Sequence, residues 1–405
     1  MSDDLDDLIG DQSDEPSSRS TTNHGRGGRG GLLFDILRIA GIGLLVLAVS
    51  AVSLVAVEAA RTVSSVRTFD LPDAGDGPPP DIGAMEGGFN ILIVGSDRAE
   101  TSWDRRHRGS AELNDVTMVL HVSGDHTSAV LVSIPRDLVV QIPACPKADG
   151  SGNYSGMAGQ AINVTLSYGG IPCTVLTVQQ LTGLHIDFAG LITFSGVVAM
   201  SNAVGGVPVC LANGITDPDS GFSRPAGTHV LSGQEALAFL RSRKRVGDGS
   251  DLTRISSQQV FLSSLVRTLK SEDTLNDLPK LYSIAQAAIA NMELSSNFTN
   301  PDTLIAVAKA LSTLELDRVT FVQYPGSTGQ HGLYEGKVKP NLALASQLFA
   351  QILADEPFAL AAAGDNRGSV VDPNATAPPA DPGSAPVIPG LTGQTAADQT
   401  CSVGR

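Results

Sequence analysis

The strongest hydrophobic pattern in the chain is an uncharged run near its start, IAGIGLLVLAVSAVSLVAV at residues 39–57. At about 1.5 Å per residue, a helix of this length crosses a hydrocarbon core of about 30 Å. The run therefore predicts one transmembrane helix, against the alternative of a helix buried in a protein core. Four arginines precede it, with no clearly separated cleavage site. This favours an uncleaved signal anchor, with residues 1–38 in the cytoplasm and the rest outside the cell.

Short apolar runs bounded by Gly, Asp or Pro follow in the next part of the chain. FNILIVG (89–95), VTMVLHV (116–122) and SAVLVSI (128–134) are typical of strands in the core of a sheet. LITF (191–194) and GVPVCL (206–211) predict two more strands.

Longer amphipathic segments lie between and after these strands and predict helices. The first are expected at 174–181 and 195–203, and a third after Ser232, which forms a capping box with Glu235. Later segments predict helices at 251–270, 278–292, 301–311 and 342–354, and a strand at 318–324. Because strands and helices interleave, the sequence predicts an α/β or α+β sandwich.

Composition sets the expected domain boundaries. Residues 1–38 have the polar composition of a disordered tail. Residues 58–88 contain LPDAGDGPPPDIGAMEGG, which predicts a Pro/Gly linker. The folded extracellular domain is expected over 89–360. The Pro, Ala, Gly and Asp content of 361–405 predicts a disordered C-terminal tail.

The net charge narrows the classes of ligand. The chain carries a formal charge of -15 and only 4% aromatic residues, which argues against binding to a nucleic acid. The phosphate-loop motif GxxxxGK[ST] and the hydrolase motif GxSxG are both absent. A local site for a small phosphate on an acidic protein fits the sequence better.

Arginines supply the candidates for that site. Arg136 follows a predicted strand in VSIPRD, and Arg241, Arg243 and Arg254 lie within RSRKRVGDGSDLTRISSQQ. Guanidinium groups bind phosphate oxygens in bidentate fashion. Arg241 and Arg243 project to the same side if their backbone is extended. Taken singly, each residue also fits a surface ion pair or a basic helix end.

Helical spacing adds polar partners. Asp251, Arg254 and Gln258 fall at i, i+3 and i+7 and therefore share one face of a predicted helix. Lys244 and Arg245, by contrast, are expected to be solvated charges.

Two carboxylates follow or begin neighbouring predicted strands. Asp97 comes after the first strand in GSDR, and Asp115 begins the second in NDVTM, so both are expected at one sheet edge. Carboxylate oxygens suit Mg²⁺, although Asp is also common in turns and helix caps. The pair is therefore a candidate magnesium site.

The four cysteines, at positions 145, 173, 210 and 401, lack metal-binding spacing, and an exported location permits disulfides. A Cys145–Cys173 bridge is favoured, and the role of Cys401 is left open.

Several motifs in fixed order resemble the LytR-CpsA-Psr family of cell-wall glycopolymer transferases, actinobacterial type. They are FNILIVGSDR, NDVTMVLHV, VSIPRDLVV, AINVTLSYGG, GGVPVCL, PAGTHVLSGQEALAFLRSR and DLTRISSQQ. The resemblance covers residues 89–270 and continues more weakly to 324. It implies a central mixed β-sheet flanked by helices, with a hydrophobic pocket for a polyprenyl chain.

The resemblance also implies a reaction, in which a glycan phosphate moves from polyprenyl pyrophosphate to the 6-hydroxyl of muramic acid in peptidoglycan. Asp97 and Asp115 are then expected to hold Mg²⁺. The pyrophosphate is expected to bind a set of five residues: Arg136, Arg241, Arg243, Arg254 and Gln258. Asp137 and Asp251 either orient those arginines or act as base towards the acceptor hydroxyl.

One position departs from the family pattern. Many relatives have Lys-Ile-Asn where this chain has Ala161-Ile162-Asn163, so one expected cation is missing. Either Arg98 or Lys147 is expected to compensate, or the protein is expected to prefer a different donor. The leading hypothesis is an Mg²⁺-dependent phosphotransferase in the cell membrane, with arabinogalactan as the favoured glycan. The alternatives are a non-catalytic wall protein that keeps the pocket, and a soluble hydrolase.

Overall fold

An eight-stranded mixed sheet forms the centre of the protein. The structure is a computed structural model that describes residues 67–72, 87–98, 112–147, 149–275, 277–299, 301–375 and 385–405. From edge to edge, the strands are β1 (Arg67–Phe69), β14 (Met292–Ser295), β9 (Phe188–Ile192), β2 (Phe89–Ser96), β3 (Asn114–Val122), β4 (Ala129–Ile134), β15 (Val319–Gln323) and β19 (Gly393–Thr395). Pairs β2–β3 and β3–β4 are antiparallel, whereas β2–β9 and β4–β15 are parallel.

Smaller sheets and hairpins surround this central sheet. A second sheet contains β13 (Gly227–Leu231), β10 (Val207–Leu211), β20 (Thr400–Ser402) and β18 (Ser369–Val371). The two-stranded pairs are β5 (Val139–Ile142) with β8 (Met157–Ala161), β6 (Cys145–Pro146) with β7 (Asn153–Tyr154), β11 (Ile215–Asp217) with β12 (Phe222–Arg224), and β16 (Gly326–Ser327) with β17 (Lys339–Pro340).

Helices cover both faces of the central sheet. They are α1 (Thr165–Thr182), α2 (Phe194–Val204), α3 (Gly233–Arg241), α4 (Asp251–Leu269), α5 (Glu272–Leu275), α6 (Leu278–Asn291), α7 (Pro301–Thr313) and α8 (Leu342–Leu353). Short 3₁₀ turns lie at Ile162–Val164, Ser296–Phe298, Leu316–Arg318 and Gly332–Tyr334. The sheet with its flanking helices confirms the predicted α/β class.

Period-2 alternation sends the side chains of the central strands into two different cores. One core contains Leu92 and Val94 of β2 with residues of α1 and α8. The opposite core contains Ile91 and Met118 with residues of α7 and, at its margin, of α4. Helix α4 packs against β15 and β19 of the central sheet and against β10 and β20 of the second sheet. It thus joins the two sheets.

Most predicted elements are confirmed, with differences of a few residues at their ends. The largest concerns the helix predicted at 174–181, since α1 already begins at Thr165. For LITF, β9 ends at Ile192, and Phe194 begins α2. Ser232 does occupy the N-cap position of α3, but its side chain makes no capping hydrogen bond. Glu235 pairs with Arg224 of β12, so the capping box predicted from the sequence is not formed.

The predicted linker is partly folded. Residues 67–69 form β1, which pairs in parallel with β14 at one edge of the central sheet. The linker prediction is therefore wrong for these residues, because their backbone completes a sheet edge. The predicted tail (1–38) and membrane segment (39–57) lie outside the described residues. Within the described ranges, no helix has the length and hydropathy needed to cross a bilayer.

The prediction of a loose tail at 361–405 is wrong for the residues that the structure describes there. Strand β19 extends the central sheet beside β15, and β20 lies between β10 and β18. Buried polar contacts tie this segment to α4, including Ser402 Oγ to Ser257 Oγ at 2.7 Å. Composition misled because long-range strand pairing, which local sequence does not encode, orders the segment.

Two disulfides bridge the chain. Cys145–Cys173 confirms the predicted bond and ties the β6–β7 hairpin to α1. Cys210–Cys401 gives Cys401 its role, since it joins the paired strands β10 and β20 across 191 residues of sequence.

Candidate active site

A cavity of about 430 Å³ opens beside the central sheet, between the sheet, α2, α3, α4 and the β11–β12 hairpin. Its apolar walls are Ile93, Val116, Met118, Ile192, Phe194, Val197, Met200, Val204, Leu237, Leu240, Phe261, Leu262 and Leu265. Residues of α2 line it, whereas Val175 and Val178 of α1 are buried in the opposite core. Its size and lining are typical of a small-molecule site.

The basic residues predicted from the sequence meet in this cavity. Arg136 after β4, Arg241 and Arg243 at the end of α3, and Arg254 of α4 all line it, together with Gln258. Lys244 lines it as well. The prediction that Lys244 is a solvated charge is confirmed, because its side chain is 76% exposed at the rim and pairs with Asp219.

Arg241 and Arg243 reach the cavity because the backbone between them is extended. Ser242 ends α3 with φ -62° and ψ 128°, so its neighbours lie on one side of the chain. The guanidinium carbon of Arg241 lies 4.7 Å from the ring centroid of Phe194. An arginine over an aromatic face is held by a cation–π interaction.

Asp251 is a buried carboxylate that contacts two other residues of the cluster, Arg136 and Arg254. It is 3% exposed, and its Oδ2 accepts a hydrogen bond from the backbone nitrogen of Arg136 at 3.0 Å. Its Oδ1 lies 2.6 Å from Nη2 of Arg254. Nη2 of Arg254 also donates to the backbone oxygen of Asp115 at 3.1 Å. The one-face spacing of Asp251 and Arg254 therefore produces a buried ion pair.

Asp137 lies between Arg136 and Arg243. Its Oδ2 is 3.6 Å from Nε of Arg136 and 3.8 Å from Nη2 of Arg243. Burial, followed by repulsion from Asp251, raises the pKa of the Asp137 carboxyl, and the nearby arginines oppose this only in part. A raised pKa makes Asp137 a better proton acceptor than an ordinary aspartate.

Arg136 is the most heavily paired cation of the cluster. Burial disfavours its charge, but the carboxylates of Asp115, Asp137 and Asp251 outweigh that effect and raise its pKa. Nη1 of Arg136 lies 2.5 Å from Oδ1 of Asp115. The guanidinium therefore stays charged.

The candidate metal ligands lie at the same end of two paired strands. Gly95 of β2 is opposite Val116 of β3, which brings Asp97 and Asp115 to one sheet edge, as the sequence predicts. Asp115 lines the cavity, while Oδ1 of Asp97 accepts the backbone N–H of Leu113 at 2.9 Å. Both residues offer the hard oxygen donors that suit Mg²⁺, and Asp115 contacts Arg136 of the cationic cluster.

The position of the missing lysine lies close to Arg136. Ala161 pairs with Val139, and Asn163 donates its backbone N–H to the oxygen of Arg136 at 3.1 Å. Arg98 pairs with Glu112 and Glu293, and Lys147 lies over Tyr154. Neither is among the described residues that line the cavity, so the expected compensation by either residue is not supported.

Solved structures share this fold. The crystal structure of TagV from B. subtilis superposes with a TM-score of 0.52 at 24% identity, covering 67% of this chain and 98% of TagV. The LytR-Csp2A-Psr enzyme from Actinomyces oris superposes with a TM-score of 0.50 at 19% identity, covering 71% and 95%. At these identities the likeness shows the fold alone.

The chain is also similar in sequence to known cell-wall proteins. The chain is 31% identical over 278 residues to the cell wall biosynthesis protein LcpA of Corynebacterium glutamicum, covering 62% of this chain and 53% of LcpA. It is 25% identical over 242 residues to the polyisoprenyl-teichoic acid–peptidoglycan teichoic acid transferase TagT of Bacillus subtilis, covering 58% and 69%. The chain thus spans about half the length of LcpA. Residues 55–347 match the model of the LytR_cpsA_psr family, and the chain belongs to that family.

Proposed function

We propose that this protein is a membrane-anchored phosphotransferase that moves a glycopolymer from a polyprenyl pyrophosphate carrier to the muramic acid 6-hydroxyl of peptidoglycan. One observation carries the proposal: a largely apolar cavity with arginines in its lining, in a chain of charge -15. Five cationic side chains line it against three carboxylates, those of Asp115, Asp217 and Asp219. A lipid pyrophosphate has the matching two-part chemistry, an apolar chain and an anionic head.

In the proposed reaction, the acceptor hydroxyl oxygen bonds to the phosphorus that carries the glycan. The bond from that phosphorus to the bridging oxygen breaks, and polyprenyl phosphate leaves. Arg136, Arg241, Arg243 and Arg254, with Gln258, bind the two phosphates and neutralise the charge of the transferring group. The hydroxyl proton passes to Asp137, whose pKa is raised by burial, while Asp251, whose two carboxylate oxygens contact Arg136 and Arg254, orients those arginines.

Asp97 and Asp115 would hold Mg²⁺ in this proposal. When bound, the ion would neutralise phosphate charge beside Arg136. Arg136 would then share Asp115 with the metal, because it already contacts one oxygen of that carboxylate.

Arabinogalactan is the proposed glycan. It is proposed because the sequence resembles the actinobacterial type of the family, and the C. glutamicum cell wall biosynthesis protein LcpA matches at 31% identity, against 25% for TagT of Bacillus subtilis. The apolar run at 39–57 supports a single-pass signal anchor, with the domain outside the cell.

A transfer assay tests the proposal. The full-length protein in detergent is incubated with lipid-linked glycan, peptidoglycan and Mg²⁺, and glycan ligated to peptidoglycan is measured. Arg241→Ala and Asp115→Ala are each expected to lower ligation about a hundredfold. Lys309→Ala, which removes an exposed cation of α7 outside the cavity lining, is the matched control. Equal ligation by all four proteins would refute the enzymatic proposal.

The alternative, a wall protein that binds lipid phosphate without transferring it, draws on one observation, the alanine at position 161. Restoring the cation with Ala161→Lys discriminates the two. Ligation that appears only in this variant supports the non-catalytic alternative, whereas ligation by the parent supports the transferase.

A further inference from the structure

The β11–β12 hairpin is anchored firmly beside the arginine pair. Its two strands pair from Ile215–Arg224 to Asp217–Phe222. Phe222 packs edge-to-face on Phe239 of α3 at 5.3 Å between ring centroids, and both rings are 1% exposed. The hairpin and the end of α3 therefore form one packed unit.

The tip of this hairpin holds three consecutive residues that follow α3. Oγ of Ser220 and Oγ of Ser242 are 2.8 Å apart. Oδ2 of Asp217 accepts the backbone N–H of Arg243 at 3.0 Å. The ion pair that Asp219 makes with Lys244 at 2.7 Å completes the set.

The hydrogen bond from Arg243 to Asp217 is the strongest of these three contacts. Asp217 is 2% exposed, whereas the side chains of Asp219 and Lys244 are 62% and 76% exposed, and exposed pairs contribute little. Oδ1 of Asp217 accepts the backbone N–H of Asp219 at 3.0 Å, so the carboxylate joins the hairpin tip to the arginine segment. Buried hydrogen bonds to a charged acceptor are stronger than neutral ones.

We propose that Asp217 is a positioning residue for the diphosphate site: it fixes the backbone at Arg243, so that Arg241 and Arg243 both point into the cavity. The inference rests on the function proposed above. With Ser242 turned towards the hairpin, extended backbone places its two neighbours on the opposite side, and both line the cavity. Asp217 acts through the arginines and needs no contact with the ligand.

A purely electrostatic role for Asp217 has the opposite consequence. Asp217 itself lines the cavity, and a carboxylate there repels a diphosphate. If repulsion were its main effect, neutralising it would tighten binding. If positioning is its main effect, neutralising it weakens binding, so the sign of the change distinguishes the two roles.

The test uses the full-length protein in detergent and geranylgeranyl pyrophosphate as the probe, with affinity measured by calorimetry. Asp217→Asn keeps the shape of the side chain but leaves one backbone N–H without its acceptor, and is expected to bind about tenfold more weakly. Ser223→Ala, on the outer side of the same hairpin, is the control and is expected to bind like the parent. Unchanged or tighter binding by Asp217→Asn overturns the proposal.

A double-mutant cycle separates positioning from general damage. In an Arg241→Ala/Arg243→Ala background, Asp217→Asn is expected to change affinity by less than about twofold, because the groups through which it acts are gone. A full tenfold effect in that background overturns the proposal. The arginine double variant also tests the proposed function. If it binds the probe as tightly as the parent, the diphosphate site itself is refuted; if it binds more weakly while Asp217→Asn does not, only the positioning role of Asp217 is refuted.

A second variant is used if Asp217→Asn proves to be misfolded. If Asp217→Asn does not keep the parental melting temperature, Ser242→Ala decides, since it removes a different contact to the same hairpin. Binding weakened about threefold supports the proposal, and parental binding overturns it.

Discussion

The two faces of the central sheet carry equally apolar residues but are covered in different ways. On one face, Leu92, Val94 and Val119 are fully buried beneath α1 and α8. On the other, the neighbouring residues Ile93 and Val116 are only partly buried and line the cavity. The first, filled face is buried and stabilises the fold. The second, open face has a buried core around Phe89 and Ile91 but leaves apolar surface for a ligand at the cavity. An apolar strand face alone does not indicate which of these it will do.

The largest expected effect on stability concerns the two disulfides. Cys145–Cys173 lies in the core of the filled face, whereas Cys210–Cys401 lies in the second sheet, beyond the cavity helix α4. They close sequence separations of 28 and 191 residues. In the chain-entropy model, removing the longer loop with Cys210→Ser/Cys401→Ser costs about 5 kcal/mol, against about 3.5 for Cys145→Ser/Cys173→Ser.

Urea unfolding followed by far-UV circular dichroism measures both losses. The parent treated with reductant is the control and is expected to lose at least as much stability as either double variant. A larger loss for the Cys145/Cys173 variant would contradict the ordering.

Truncations on the two faces give the next largest effect. Leu92→Ala on the filled face is expected to lower the free energy of unfolding by about 3 kcal/mol, because it leaves a closed void. Ile93→Ala widens an existing cavity and is expected to cost about 1 kcal/mol. Chemical unfolding of the two variants at one pH is the measurement. Equal losses would show that the cavity face is as well filled as the other.

The substitution Phe194→Leu tests how much the cation–π contact with Arg241 contributes to ligand affinity. Phe194→Leu keeps apolar bulk but removes the ring beneath Arg241. Affinity for geranylgeranyl pyrophosphate is expected to fall about two- to fivefold, the range of a partly exposed cation–π interaction. Calorimetry against the parent measures it, and Phe298→Leu in the core beside β9 is the matched aromatic control. Tighter binding after Phe194→Leu would contradict the prediction.

The smallest expected effect is the pH dependence of Asp137. Burial raises the pKa of its carboxyl above the ordinary 3.8, so ionisation of Asp137 destabilises the folded state. Asp137→Asn is therefore expected to be more stable than the parent at pH 7. The advantage is complete above the raised pKa and disappears as the pH falls towards 3.8. Urea unfolding at pH 7 and pH 4 checks this, and an advantage that grows at pH 4 would contradict it.

Local sequence was sufficient for much of the fold and the candidate site. The strands at 89–95, 116–122 and 128–134 could be predicted because apolar, β-branched runs between turn residues leave few alternatives. The arginines could be selected because their chemistry suits phosphate, and they do meet in one cavity. Asp217 offered no such signal, since an aspartate in a turn-rich segment is ordinary until its partner is known.

By itself, the sequence determined the α/β class, the order of most elements and the residues whose chemistry suits phosphate, and it favoured the Cys145–Cys173 bond. These depend on periodicity, residue type and short-range motifs. The tertiary structure alone decided that residues 385–405 complete two sheets and that Asp217 holds Arg243. Such contacts join residues far apart in the chain, and their energy comes from burial and pairing that exist only once the chain has folded.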